Sequence, residues 1–227
     1  MNRNPVDAPA AVPAGIAEAT VNVNGVVTSG DRAVVSVFDH GFLYGDGVYE
    51  TLRTYNRRPF LPDRHLARLR ASAARLSLEV PTSDAELECR MRDTMQGVHP
   101  QGEVTLRILV TRGVGDLGYD PAVCRTPTVV IIARPHRESP DRVQRDGVRL
   151  VVASVVRNHP RSVDPVIKSN NLLNNVLAMQ EAVREGAYEA ILLNHRGELA
   201  ERVPSELCAV GEGVVLTTPP VPALLAG

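Results

Sequence analysis

The apolar residues of this chain change period along its length, and the order of those periods confines it to a layered, mixed α and β architecture. Residues 19–27 and 33–38 alternate or run apolar with β-branched side chains on either side of Thr28-Ser29-Gly30-Asp31, which predicts a hairpin. Residues 48–55 continue as a strand. A helix over 62–78 sets Leu66, Leu69, Ala73 and Leu76 on one stripe, and a shorter helix headed by Ser83 spaces Leu87, Met91 and Met95 by four. Residues 103–112, 126–134 and 147–157 read as strands. A helix over 170–186 follows, with Leu172, Leu173, Val176 and Leu177 on one face; 189–194 and 207–217 are strands joined through the turn His195-Arg196-Gly197-Glu198.

Glycine punctuates this pattern twice. Asp39-His40-Gly41-Phe42-Leu43-Tyr44-Gly45-Asp46-Gly47 allows tight turns and close approach of a ligand to backbone, and residues 113–121 mark a domain linker or a binding loop. The expectation is a two-lobed α/β protein. A flexible tail over 1–18, broken by Pro5, Pro9 and Pro13, precedes an N-terminal α/β lobe over 19–120 and a C-terminal lobe over 121–227.

Several function classes fall away on composition. A net charge of -1 from 25 basic and 26 acidic side chains offers no bulk field for nucleic acid or an anionic membrane. The longest apolar runs, such as 128–133, are far shorter than a bilayer crossing. Cys89, Cys124 and Cys208 stand far apart and in odd number, without zinc-site spacing or the density of a disulfide scaffold; a reducing cytoplasm fits them. The histidines never fall three or four residues apart, so no metal site is expected.

Lysine occurs once, at Lys168; every other basic side chain is arginine. A composition drifting so hard toward arginine replaces any lysine that supplies only positive charge, because a guanidinium does that at least as well. What arginine cannot supply is a nucleophilic amine, which can lose its proton and condense with an aldehyde. Rarity alone leaves open that one lysine persists without a role. Its position argues for chemistry: Lys168 ends the apolar pair Val166-Ile167 and precedes Ser169-Asn170, residues that cap helices, so it stands at a strand-to-helix junction beside buried surface. Desolvation there lowers the pKa of an ammonium, as a Schiff-base lysine requires. Such an amine points to pyridoxal phosphate, which needs a carboxylate at its ring nitrogen and donors for its phosphate. Glu201, after the strand over 189–194 and its turn, can supply the first, and Arg68, on the first helix, the second.

With these residues in this order, the chain resembles the class IV pyridoxal-phosphate aminotransferases of fold type IV, the group that holds branched-chain aminotransferases, D-amino-acid aminotransferase and aminodeoxychorismate lyase. The similarity runs from about Val21 to the C-terminus. It is carried by Gly45-Asp46-Gly47-Val48-Tyr49-Glu50-Thr51-Leu52-Arg53, His65-Leu66-Ala67-Arg68-Leu69, Val110-Thr111-Arg112-Gly113 and Ile167-Lys168-Ser169-Asn170-Asn171-Leu172-Leu173-Asn174-Asn175-Val176-Leu177-Ala178. The resemblance implies a Schiff base at Lys168, which also moves protons, a phosphate contact from Arg68, and the ring-nitrogen carboxylate at Glu201. It further implies a cofactor-binding role for Ser205, a substrate-facing Tyr49, an inward Arg107 that receives a substrate carboxylate, and substrate-pocket positions for Leu117 and Tyr119 on the glycine-rich loop.

An apolar Leu117, where relatives with other substrates carry arginine, favours an aminotransferase that moves the amino group of a branched-chain or other hydrophobic amino acid to a 2-oxo acid such as 2-oxoglutarate. Aminodeoxychorismate lyase and D-amino-acid aminotransferase are the alternatives. The family also implies a homodimer whose subunits contribute to each other's pockets. Two departures stand out. Arg202-Val203-Pro204-Ser205-Glu206 replaces a run of small hydroxylated or glycine residues, and the chain stops at Pro222-Ala223-Leu224-Leu225-Ala226-Gly227, where relatives continue into a phosphate-binding turn and helix. The C-terminal lobe is therefore expected to be incomplete, and a catalytically silent truncated fragment is a further alternative.

Overall fold

The computed structural model describes residues 12–99, 101–203, 205 and 207–217. A helical turn, α1 (Ala14–Ala17), precedes the hairpin of β1 (Thr20–Val23) and β2 (Val26–Ser29). Helix α1 lies inside the expected tail; residues 1–11 of that tail lie outside the described residues. The hairpin turns at Asn24-Gly25, with φ of 51° and 93°, and not at 28–31. An Asn-Gly pair tolerates the left-handed geometry of a two-residue turn, and this local preference divides what the apolar pattern presents as one strand. Residues 33–38, expected as a strand, form none and leave Val34, Val37 and Phe38 exposed.

Helix α2 (His40–Leu43), β3 (Gly47–Tyr55), β4 (Arg58–Pro59), α3 (Pro62–Arg75), α4 (Asp84–Gln96), β5 (Val104–Thr111) and β6 (Thr128–Pro135) follow. The strands form one antiparallel sheet in the order β2-β1-β6-β5-β3-β4. Strand alternation turns Val48, Leu52, Leu106, Ile108, Val110, Val129 and Ile131 to one face, where Leu66 and Leu69 of α3 and Leu87 and Met91 of α4 cover them. Each such side chain contributes roughly 1.5–3 kcal/mol by leaving water. Ser83 caps α4 as expected, its Oγ accepting from Glu86 N at 3.2 Å. The opposite sheet face stays open for the site.

Strand β6 lies past residue 120 and is nevertheless central in this sheet, so the first lobe extends beyond its expected boundary. The chain turns there at Gly113, whose φ is +92° and whose added Cβ would lie 1.9 Å from Thr126 O. Only glycine fits.

The second lobe begins with α5 (Asp141–Asp146), which the sequence pattern does not foretell, and β7 (Leu150–Val152), which replaces the longer strand expected over 147–157. Helix α6 (Leu173–Arg184), β8 (Glu189–Leu193), β9 (Leu199–Arg202) and the hairpin of β10 (Cys208–Gly211) with β11 (Val214–Thr217) complete it. Strand β8 pairs with β7 in parallel and with β9 antiparallel. The turn at 195–198 thus leads into an unforeseen β9, and 207–217 is itself a hairpin. Helix α6 buries Ala178 and Ala182, while Leu173, Val176 and Leu177 are exposed. Small side chains let the helix approach the sheet closely, which overrides the more apolar stripe read from sequence. The residues from Pro222 to Gly227 lie outside the described residues. Among those described, no helix is long and apolar enough to cross a membrane, no group of three or more metal-ligating side chains occurs, and the cysteines are unpaired.

Candidate active site

Lys168 sits in the irregular segment between β7 and α6, and β3 holds its backbone. Tyr49 N–H donates to Lys168 O at 2.9 Å, Asn170 N–H donates to Gly47 O at 3.1 Å, and Lys168 N–H donates to Ser72 Oγ of α3 at 3.1 Å. The expected strand-to-helix junction is therefore a looped segment laid along the end of β3. Fixed in this way, Lys168 faces a cavity of about 700 Å³ that both lobes line.

Glu50 anchors one wall. Alternation in β3 places this carboxylate on the buried face between Val48 and Leu52, where it is 0% exposed. Arg68 closes on it in a fork, Nε to Oε1 at 2.5 Å and Nη2 to Oε2 at 2.9 Å, and His65 Nδ1 lies 2.9 Å from Oε2. Burial pushes the Glu50 carboxyl up, but hydrogen bonds from Arg68 and His65 and the charges of Arg68 and Lys168 outweigh it, holding the group below the usual range. Arg68 thereby reaches the cavity wall in a fixed pose.

Glu201 lies across the cavity and is buried. Arg157 Nε stands 3.0 Å from its Oε1 as an ion pair not aligned as a hydrogen bond, and Asn175 Nδ2 donates to the same oxygen at 3.3 Å. The Tyr49 ring forms a further wall, 4.8 Å from Lys168 Nζ and 4.0 Å from Arg107 Cζ. Burial pushes the Tyr49 phenol above its usual value, so the group is neutral and able to donate.

Lys168, Arg68, Glu201, Ser205, Tyr49 and Arg107 thus line one cavity. The Ser205 hydroxyl is engaged away from it: its Oγ donates to the buried Glu189 carboxylate at 2.9 Å, a group also paired with Arg202. Leu117 and Tyr119 do not reach this cavity, and are 70% and 90% exposed. Their loop is tied to 38–44 instead, with Gly115 N donating to Phe38 O at 3.2 Å, His40 Nε2 3.0 Å from Asp116 O and Gly118 N donating to Tyr44 Oη at 3.1 Å. The sequence alone assigned no role to Glu50, Arg157, Asn175 or Arg134. For Glu50 a signal existed: a carboxylate at a core position of an alternating strand demands a cationic partner within reach.

Six cations, Arg68, Arg107, Arg134, Arg157, Lys168 and Arg202, face two carboxylates, Asp164 and Glu201, around the cavity. Such a lining suits a small ligand with several negative charges, and the lysine adds an amine that can condense with a carbonyl. Fold and site together define a two-lobed α/β protein with a cation-lined cleft that holds the chain's single lysine.

Residues 47–227 match the family model described as Amino-transferase class IV. A protein of Methanocaldococcus jannaschii, provisionally named a branched-chain-amino-acid aminotransferase, is 38% identical over 207 residues, covering 91% of this chain and 70% of its own length. A D-alanine aminotransferase of Bacillus licheniformis is 32% identical over 204 residues, covering 90% and 70%. A branched-chain amino acid aminotransferase from T.th., solved with pyridoxamine 5'-phosphate, superposes with a TM-score of 0.77 at 30% identity, over 87% of this chain and 66% of that one. This chain belongs to the class IV aminotransferase family, and its mixed α/β fold is the one the resemblance implied.

Proposed function

We propose that the chain is a pyridoxal-phosphate-dependent aminotransferase that moves the amino group of a branched-chain or other hydrophobic amino acid to a 2-oxo acid such as 2-oxoglutarate. The observation that carries this reading is the chain's single lysine in a cavity that also presents Glu201 and Arg68. The cavity fits the cofactor. Beside the amine, the ion-paired carboxylate and the pinned guanidinium, it offers Asn175 Oδ1, a buried acceptor with no hydrogen-bond partner among the described residues.

When bound, pyridoxal phosphate supplies an aldehyde for imine exchange and a ring that draws electrons from the substrate's α-carbon. Glu201, steadied by Arg157 and Asn175, would hold the proton of the ring nitrogen. Arg68, steadied by Glu50, would take a phosphate oxygen. Ser205 serves this site by bracing β8 through Glu189. Lys168 Nζ would take the proton from the substrate's α-carbon and return it one position away. Arg107 receives a substrate carboxylate beside Tyr49, and the apolar trough of Val21, Val130 and Ile132 that continues from Arg107 suits a hydrophobic side chain.

The joined loops over 33–44 and 113–120 expose Val34, Val37, Phe38, Phe42, Leu117 and Tyr119. A homodimer would cover this apolar patch and turn Leu117 and Tyr119 toward the neighbouring subunit's pocket. Free cysteines support a cytoplasmic location. The test is to supply leucine, isoleucine or valine with 2-oxoglutarate and measure glutamate and the matching 2-oxo acid. Formation of both supports the reading; pyruvate released from aminodeoxychorismate without an acceptor, or turnover of D-amino acids alone, contradicts it.

A further inference from the structure

Helix α3 carries two stripes. Leu66, Leu69 and Ala73 pack into the core, and beside them His65, Arg68, Ser72 and Arg75, spaced three, four and three residues apart, share a second face. Every member of this second stripe holds a part of the site. His65 and Arg68 close on Glu50 of β3, Ser72 Oγ accepts from Lys168 N–H at 3.1 Å, and Arg75 Nη1 donates to Asp164 Oδ2 at 2.9 Å. Asp164 in turn holds the bend that leads to the lysine, its Oδ1 accepting from Val166 N–H at 3.1 Å and its carbonyl from Ile167 N–H at 3.1 Å. The segment 164–168 is thus fastened to α3 at both ends.

The two fastenings differ in strength. The Arg75 side chain is 53% exposed, so water and salt screen its pair with Asp164. Ser72 is 3% exposed, and a hydrogen bond shielded from water is costly to lose. Ser72 therefore secures the end that bears the amine. Strand β3 secures the other side of the same residue, since Tyr49 N–H donates to Lys168 O at 2.9 Å. With its N–H held by a helix and its carbonyl by a strand, the Lys168 backbone has one orientation, and its side chain leaves it toward the cavity. The residue type points the same way. Positions 71, 73 and 74 of α3 are alanine, the better helix former, and only the hydroxyl sets Ser72 apart from them.

We propose that Ser72 is a positioning residue for Lys168: through one hydrogen bond to the lysine's backbone it sets where the amine stands relative to an anion held by Arg68. The two contacts lie one helical turn apart, about 6 Å along the α3 axis, so a single element spaces the anion clamp and the amine. The effect on turnover rests on the aminotransferase reading; the effect on the lysine does not.

The single lysine makes the test site-specific, because protein grown on isotopically labelled lysine shows one lysine backbone amide by NMR. In protein saturated with pyridoxal phosphate, exchange of that amide with solvent deuterium should be slow, and Ser72→Ala should speed it at least about tenfold, the equivalent of one hydrogen bond. Ser72→Thr, which keeps the acceptor, should stay within about threefold of wild type. Mixing each full chain, freed of cofactor, with pyridoxal phosphate then reads the aim of the amine. Visible absorbance, as amine and aldehyde condense and water leaves, should develop at least about tenfold more slowly in Ser72→Ala and near the wild-type rate in Ser72→Thr. Turnover should follow, with kcat lower by at least about tenfold in Ser72→Ala and KM for the amino acid changed less than about threefold. A wild-type amide that exchanges freely, or Ser72→Ala with exchange, condensation or kcat unchanged, overturns the inference. So does a loss that Ser72→Thr fails to restore, which reports packing in place of the hydroxyl. Faster exchange and slower condensation in Ser72→Ala, in a protein whose wild type turns over no amino acid, leave the positioning role standing and remove the aminotransferase reading.

Discussion

Replacing Glu50 by glutamine removes one negative charge from a fully buried position and leaves the Arg68 fork and His65 facing an amide. Breaking a buried charge pair from one side costs about 3–5 kcal/mol. The Arg68 side chain is 25% exposed and recovers some hydration, so the lower end applies, about 3 kcal/mol. In a chain of this size that corresponds to a fall of roughly 6–12 °C in melting temperature. The pH dependence has a definite sign. The native Glu50 carboxyl titrates below the ordinary 4.5, so its stabilising contribution is complete above that value and disappears as the pH falls through the native one. Urea unfolding of wild-type and Glu50→Gln proteins at neutral pH and at steps below pH 4.5 should therefore show a gap that is full at neutrality and narrows with acid. Equal midpoints at neutral pH, or a gap that acid leaves unchanged, would refute the proposed balance between burial and ion pairing.

Leu106→Ala, at a fully buried position on β5, should lower unfolding free energy by about 2–5 kcal/mol with an unchanged denaturant slope; a loss under about 1 kcal/mol would show that the sheet and helix layers collapse around the cavity. Gly113→Ala should destabilise by at least about 1–2 kcal/mol by thermal melting, since the backbone is left-handed there and Thr126 O occupies the space of a Cβ; an unchanged melting temperature would contradict that geometry. Glu201→Gln should lower turnover roughly 10²-fold while the cofactor still binds, because a neutral amide cannot hold the ring proton; turnover within about twofold of wild type would remove Glu201 from its proposed role.

Much of this arrangement is legible in the residues. Period two and period 3.6 identify β3, β5, β6, α3 and α4, because each buries a face against another layer and the pattern must follow. Lys168 stands out as the chain's single lysine, whereas Glu201 gains its expected role only from the family resemblance. The hairpin at Asn24-Gly25 carries a strong local signal, but a nearly continuous apolar run masks it. Strands β7 and β9 are three and four residues long, too short for a period to show, and α6 selects its alanine face by the closeness of packing. Ion-pair geometry is least legible. Glu50 is close to Arg68 in sequence, whereas Arg157 meets Glu201 only after the second lobe has closed.

The central claim, that Lys168 is the covalent anchor of the site, is tested most directly by reducing the protein with borohydride in the presence of pyridoxal phosphate and mapping the peptides by mass. The account predicts a phosphopyridoxyl adduct confined to the peptide containing Lys168 and its loss, together with the visible absorbance, in Lys168→Arg. An adduct at the N-terminal amine alone, or a Lys168→Arg protein that keeps both colour and turnover, would contradict it.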